Sequence, residues 1–365
     1  MNRTKLSKAS RIVIKLGTGL LINALKQPDM PQLVHLVQQI STLCAQGKEV
    51  IVVSSGAVGV GCGVLEYKEK PHDLIALQAC AAAGQPRLMG IYEDLFTIYG
   101  HKIAQILLTH DDLENDVRCN NARNTIDALL KHNVIPIINE NDTVAVEELK
   151  FGDNDQLSAL VASLVSADLL ILLTTVDGLI RGYGTPQAEL VSYVETLDDN
   201  IMALAGGTTS ETAVGGMKTK LFAAQIATQS GVSMVIAPGR RRDILNDLFN
   251  GAELGTFFAA EENALTSRKH RIAFFHHTHG TLTVDDAMKY AICELGKSLR
   301  FAGITKIKGD FGRGDVVTIC DQEGHEFARG VVEFSHGELC THELHKGSYN
   351  ERIILCNNIV LLHHE

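Results

Sequence analysis

The sequence predicts an α/β domain, a three-layer αβα sandwich around a mostly parallel sheet, followed by a small β-rich domain. Three observations predict it. Residues 11 to about 240 alternate short β-rich runs with amphipathic helical stretches, the rhythm of a parallel sheet with crossover helices. Several of those runs are apolar throughout, as burial on both faces requires. Near residue 260 the texture changes to short strands separated by turn signals.

Taken in order, the strand candidates are Arg11–Leu16, Val50–Ser54, Ile103–Leu108, Val134–Asn139, Leu169–Thr174 and Ser233–Ala237. Helical patterns between them cover Pro31–Gln46, Leu74–Tyr99, Ala122–Lys131 and Asp155–Ser166. The first domain is therefore expected over 1–258. The polar run Ala259-Ala260-Glu261-Glu262-Asn263 marks a linker at 259–270, and the second domain follows over 271–365. Its turn signals are Gly280, Gly309-Asp310, Gly312–Asp315 and Gln322-Glu323-Gly324. A chain of 365 residues exceeds one ordinary core, in keeping with two domains.

Composition narrows the function classes. Hydrophobic residues make up 45% and charged residues 21%, a globular balance. The apolar run from Ile12 is broken by Lys15, so no secretory segment forms, and Leu157–Leu173 is too short and too polar to span a bilayer. A cytoplasmic protein without a membrane partner is expected. The eight cysteines show no CxxC pair, so reduced thiols are expected rather than a disulfide framework or zinc site. A net charge of −10 argues against a polyanionic partner such as nucleic acid, but leaves room for a small anionic substrate.

Four segments carry chemistry. Lys15-Leu16-Gly17-Thr18-Gly19 follows the first strand, where open α/β sheets gather ligands and glycines let backbone N–H groups approach phosphate. It is neither a Walker A loop nor a dinucleotide fingerprint. Lys15 is a charge in a strand that otherwise reads as buried, and buried lysines have anionic partners. Val53-Ser54-Ser55-Gly56-Ala57 forms a second small-residue turn at a strand end, suited to an anion.

Asn139-Glu140-Asn141-Asp142 and, ten residues on, Gly152-Asp153-Asn154-Asp155 bring dense carboxylates and amides able to grip an ammonium group or a metal. Asp153 or Asp155 could also cap the following helix. Gly215-Gly216-Met217-Lys218-Thr219-Lys220 opens a helix with lysines in its first turn, against the sign of the macrodipole, and a bound anion would compensate. Two further patterns fall short of metal sites. His342-Glu343-Leu344-His345 lacks one residue of HExxH, and His276–His279 reads as a solvated turn.

In sequence, these segments resemble the bacterial glutamate 5-kinase family of the amino-acid kinase group. The resemblance rests on Lys-Leu-Gly-Thr, Ser-Ser-Gly-Ala, Asn-Glu-Asn-Asp-Thr-Val, Gly-Asp-Asn-Asp-Gln-Leu-Ser-Ala and Gly-Gly-Met-x-Thr-Lys. It extends through Gly309–Asp315 and Ala328-Arg329-Gly330-Val331, which resemble the PUA module of that family.

The resemblance implies ATP as co-substrate, Mg²⁺ held through the nucleotide phosphates, and phosphorylation of the γ-carboxylate of L-glutamate, the first step of proline synthesis. It implies catalytic roles for Lys15 and Lys220, with Asp155 holding both. It implies glutamate binding by Ser55, Asn139, Asp142 and Asn154. Gly17, Thr174, Thr175, Val214, Gly215, Gly216, Met217, Lys218, Thr219 and Lys220 would lie along the nucleotide. A homo-oligomer and feedback inhibition by proline are also implied.

The chain departs from the family pattern at Thr175, where Asp is usual, and at Ala213-Val214, where Gly-Thr is usual. Both changes bear on nucleotide affinity and leave open a degenerate or altered kinase. An RNA-binding role for the second domain is the other alternative, but 271–365 holds ten Lys and Arg against thirteen Asp and Glu.

Overall fold

The computed structural model describes residues 4–144, 154–207, 216–261, 269, 271–276, 278–342 and 351–362. The chain divides into two compact units, Met1–Ala264 and Leu265–Glu365.

Among the described residues, ten strands belong to the first unit: β1 (Arg11–Leu16), β2 (Glu49–Ser54), β3 (Lys102–Leu108), β4 (Val134–Glu140), β5 (Leu169–Thr174), β6 (Ile180–Arg181), β7 (Glu189–Leu190), β8 (Tyr193–Val194), β9 (Ser233–Pro238) and β10 (Thr256–Phe258). Eight of them form one sheet in the order β3-β4-β2-β1-β5-β9-β10-β8. From β3 through β9 every neighbouring pair is parallel, and β10 turns antiparallel to β9. β6 and β7 pair as a separate ribbon. The six expected strands are all present, most of them longer by a residue. The helix expected at Ala122–Lys131 starts earlier, at Asp116, because Asn115 accepts hydrogen bonds from the N–H groups of Val117 and Arg118 as its cap.

Alternation along β1 decides which layer each side chain meets. Ile12, Ile14 and Leu16 enter the cluster formed with Leu33, Leu36, Val37 and Ile40 of the helix Met30–Ala45. Val13 and Lys15 therefore face the other layer, where the helix Asn154–Leu164 packs on β1 and against the helix Met217–Gln229. Leu16 pairs with Ser54 on one side and Leu173 on the other, so the central strands end at the same level. The chain crosses from β4 to β5, on opposite sides of β1, through the segment containing Asn154–Leu164. That is a topological switch point, where ligands of open α/β sheets bind.

In the second unit, β11 (Gly280–Val284), β12 (Leu299–Arg300), β13 (Ile304–Gly309), β14 (Val316–Cys320), β15 (Glu326–Val331), β16 (Arg352–Ile354) and β17 (Ile359–Leu361) follow in order. Five form a sheet in the order β13-β11-β14-β15-β17, while β12 pairs with β16. Leu282, Val317, Ile319, Ala328 and Ile354 build its core. Gln322-Glu323-Gly324 is the turn between β14 and β15, where the Asp321 carboxylate accepts from the N–H groups of Glu323 and His325. Gly280 is not a turn residue. It opens β11 because its missing side chain leaves room for the Phe311 ring and the Lys308 carbonyl. Arg271–Phe275, where the second domain was expected to begin, forms a single π-helical turn.

None of the eight cysteines forms a disulfide. No helix among the described residues is long and apolar enough to cross a membrane.

Candidate active site

Three charged side chains from distant parts of the sequence meet at the switch point. Asp155 is fully buried, and Lys15 and Lys220 are each 7% exposed. The Lys15 ammonium donates to Asp155 Oδ1, and Lys220 Nζ lies 3.0 Å from Oδ2. Thr219 Oγ1 adds a longer contact to Oδ2 at 3.4 Å. Burial by itself would push the Asp155 carboxyl up. The two ammonium charges and their hydrogen bonds outweigh it and hold the group well below the usual carboxylate range. Two cations and one anion give the triad a charge of plus one, suited to an anionic ligand. Asp155 is thus no helix cap. It sits inside the first turn of Asn154–Leu164 with both oxygens committed to lysines. Asp153 lies outside the described residues.

The helix Met217–Gln229 begins at Gly216 without a side-chain cap and without an acid in its first turn. Lys220 turns inward to Asp155, while the Lys218 ammonium stands 5.9 Å from the Phe222 ring centroid. Val214 and Gly215 lie outside the described residues. On the facing strand end, the Gly17 N–H donates to the Leu173 carbonyl at 3.2 Å, in the turn that leads away from Lys15.

Beyond β5 and β9, Thr174 and Thr175 line a cavity of about 440 Å³ with Asp177, Pro238, Arg240 and Arg241. That volume falls in the range of small-molecule sites, roughly 300–1,000 Å³. Sequence reasoning missed Asp177, Arg240 and Arg241 as lining residues. The run Gly239-Arg240-Arg241-Arg242 directly after β9 was the available signal.

A second polar group forms where β2 and β4 end. Asn154 Nδ2 donates to the Ser54 carbonyl at 2.6 Å, to Asn139 Oδ1 at 2.8 Å and to Ser55 Oγ at 3.2 Å. Asp142 follows in the half-buried turn after β4. The structure therefore brings Ser55, Asn139 and Asn154 into one cluster, and the neighbouring Asp155 belongs to the lysine triad.

Sequence reasoning also missed the layer beneath. Gln85 accepts from Asn139 Nδ2 at 2.8 Å, and Tyr92, one heptad along the same helix, shares a 2.9 Å hydrogen bond with Ser54 Oγ. Burial pushes the Tyr92 phenol well up, so it stays neutral. Nothing local in the helix Leu74–Ile98 signals this.

That helix reaches the site because it touches the short helix Ala57–Val64 backbone to backbone. A Cβ on Gly61 would come 1.7 Å from the Cys80 carbonyl, and one on Gly84 would come 1.9 Å from the Ala57 carbonyl. Gly61→Ala is expected to lower the urea midpoint by the equivalent of about 1–3 kcal/mol or more, the cost of overpacking against rigid atoms. An unchanged midpoint would mean the two helices are free to separate.

Among the described residues, no group of three His, Cys, Asp or Glu gathers to hold a metal. Of the His342–His345 pattern only His342 is described, at the end of the helix His336–His342.

The profile of the amino acid kinase family matches residues 10–238, and that of the PUA domain matches residues 280–354. The glutamate 5-kinase of Syntrophotalea carbinolica is 46% identical, with 93% of this chain and 91% of that protein covered. That of Geobacter sulfurreducens is 42% identical over 98% of this chain and 99% of its own length. That of Caldanaerobacter subterraneus is 44% identical over 96% and 98%. Among solved structures, carbamate kinase from Giardia lamblia bound to AMP-PNP superposes with a TM-score of 0.51 at 17% identity. It covers 70% of this chain and all of its own, a likeness of fold. With a family profile over most of the chain and relatives this similar along nearly its whole length, the chain belongs to the amino acid kinase family and carries a PUA domain in its C-terminal unit.

Proposed function

We propose that this protein transfers the γ-phosphoryl group of ATP to the side-chain carboxylate of free L-glutamate, forming γ-glutamyl phosphate at the entry to proline synthesis. The observation that carries it is the buried pair of lysines joined by Asp155 at the switch point, beside an amide and hydroxyl cluster, in a chain so similar to glutamate 5-kinases.

The chemistry asks for this arrangement. A glutamate carboxylate, pKa about 4.3, is already an ionised nucleophile at neutral pH, so no general base is required. The obstacle is repulsion between that carboxylate and a polyphosphate. Positioning and charge neutralisation lower it. In this reading Lys15 and Lys220 neutralise the transferring group, and Asp155 fixes where their charges stand. Ser55, Asn139, Asp142 and Asn154 bind glutamate. Gly17, Thr174, Thr175 and the segment Val214–Lys220 run along the nucleotide, whose nucleoside end fits the cavity beyond β5 and β9. Mg²⁺ would ride on the nucleotide phosphates and supply further neutralisation there.

Incubation with ATP, Mg²⁺ and each of glutamate, aspartate, N-acetylglutamate and carbamate, with hydroxylamine trapping acyl phosphates, tests the reading. Glutamate is expected to give the hydroxamate and the others background. A hydroxamate from another acid, or from none, would reject the assignment. The same reading expects a cytoplasmic homo-oligomer inhibited by proline, measurable by light scattering and by adding proline to that assay.

A further inference from the structure

The amide cluster continues beyond the residues assigned to glutamate. Gln85 Nε2 donates to Gln105 Oε1 at 2.9 Å, and Gln85 Oε1 accepts from Asn139 Nδ2 at 2.8 Å. Asn139 Oδ1 accepts from Asn154 Nδ2 at 2.8 Å and from the Glu140 main-chain N–H at 2.9 Å.

Two main-chain groups settle the direction of this chain. The Glu140 N–H can only donate, so the Asn139 atom it meets is oxygen. The Ser54 carbonyl can only accept, so the Asn154 atom it meets is nitrogen. The Asn139 NH₂ must then find an acceptor on its far side, and Gln85 supplies it. Asn139 and Asn154 are buried and Gln85 nearly so, hence an unmet donor there is costly.

The Asn154 NH₂ is spent on protein acceptors. What Asn154 has left to offer a ligand is its oxygen, an acceptor matched to an ammonium group. An amide turned the other way would present N–H groups to a cation.

We propose that Gln85 is a positioning residue for the amino-acid substrate. By accepting from the Asn139 NH₂ it reinforces, together with the Glu140 N–H and the Ser54 carbonyl, the amide orientation in which Asn154 offers an oxygen to the substrate ammonium. The inference rests on the reading of Asn139 and Asn154 as glutamate-binding residues. Gln85 belongs to the helix Leu74–Ile98 and Gln105 to the edge strand β3, so their effect is expected on one substrate only.

Steady-state kinetics of Gln85→Met and Gln85→Glu, in the hydroxamate assay, test it. Methionine matches the length of glutamine without the acceptor oxygen. It is expected to raise the glutamate KM about tenfold, the size of one lost hydrogen bond. The ATP KM should stay within about twofold, and kcat at saturating glutamate within about threefold. Glutamate at 85 keeps the acceptor, and the exposed Gln105 can turn its amide to donate. Most of the lost affinity should therefore return.

An unchanged glutamate KM in Gln85→Met overturns the inference. So do equal rises in both KM values with a lowered melting midpoint and no recovery in Gln85→Glu, which mark a purely architectural role. A wild-type protein that makes no glutamyl hydroxamate overturns the reading of the site, and the inference with it.

Discussion

Lys220→Ala is expected to leave a folded protein whose glutamate-dependent phosphoryl transfer is slower by at least about a hundredfold, with the glutamate KM changed only a few-fold. Removing one preorganised donor aimed at developing charge costs roughly 10²–10³ in kcat. The fold should tolerate the change. Asp155 keeps its hydrogen bond from Lys15, and alanine favours the helix Met217–Gln229 at least as well as lysine does. Arginine at 220 should recover little, because a planar guanidinium fork cannot take the place of an ammonium donating to one carboxylate oxygen. Single-turnover measurement of acyl phosphate, with circular dichroism of each variant, gives the comparison. Turnover within tenfold of the wild type would remove Lys220 from the reaction.

Asp155→Asn is expected to damage both stability and rate. A carboxamide has one oxygen and one NH₂ group. It can accept from one of the two lysines that share Asp155 but confronts the other with N–H. Breaking a buried charge cluster by removing one partner costs about 3–5 kcal/mol. Activity should fall at least about a hundredfold, because the two ammonium groups lose their common anchor.

The pH dependence has a definite sign. The folded Asp155 carboxyl is held below its ordinary value, near 3.9, so its contribution is complete above that value and is lost as pH falls further. The gap in urea midpoint between wild type and Asp155→Asn should therefore be wide at pH 7 and narrow progressively below about pH 4. A gap that is constant across that range would mean the carboxylate's charge contributes nothing to stability.

Much of this was legible before any coordinates. Apolar runs such as Leu169–Thr174 announce a strand buried on both faces, and its burial is continuous up to Thr174. Lys15 stood out as a charge in such a run and implied a buried anion. Identifying that anion as Asp155 required the family resemblance, because spacing in the sequence carries no information about a partner 140 residues away. The boundaries were less legible. Helix starts such as Asp116 depend on a capping contact by Asn115, which hydrophobic periodicity does not report.

By itself, the sequence determined the layered α/β architecture, the change to a β-rich unit and the segments that carry chemistry. Each of these is written in local patterns of apolar spacing, glycine and charge. The tertiary structure gave the atoms of the Asp155 contacts, one carboxylate oxygen to each lysine, and only it decided that Gln85 and Tyr92 stand beneath the amides. It also decided that Arg240 and Arg241 line the cavity with Thr174. The physical reason is that a buried polar group is satisfied by whatever the packing of distant elements brings within hydrogen-bond reach, and that packing is a property of the whole sheet and its helices.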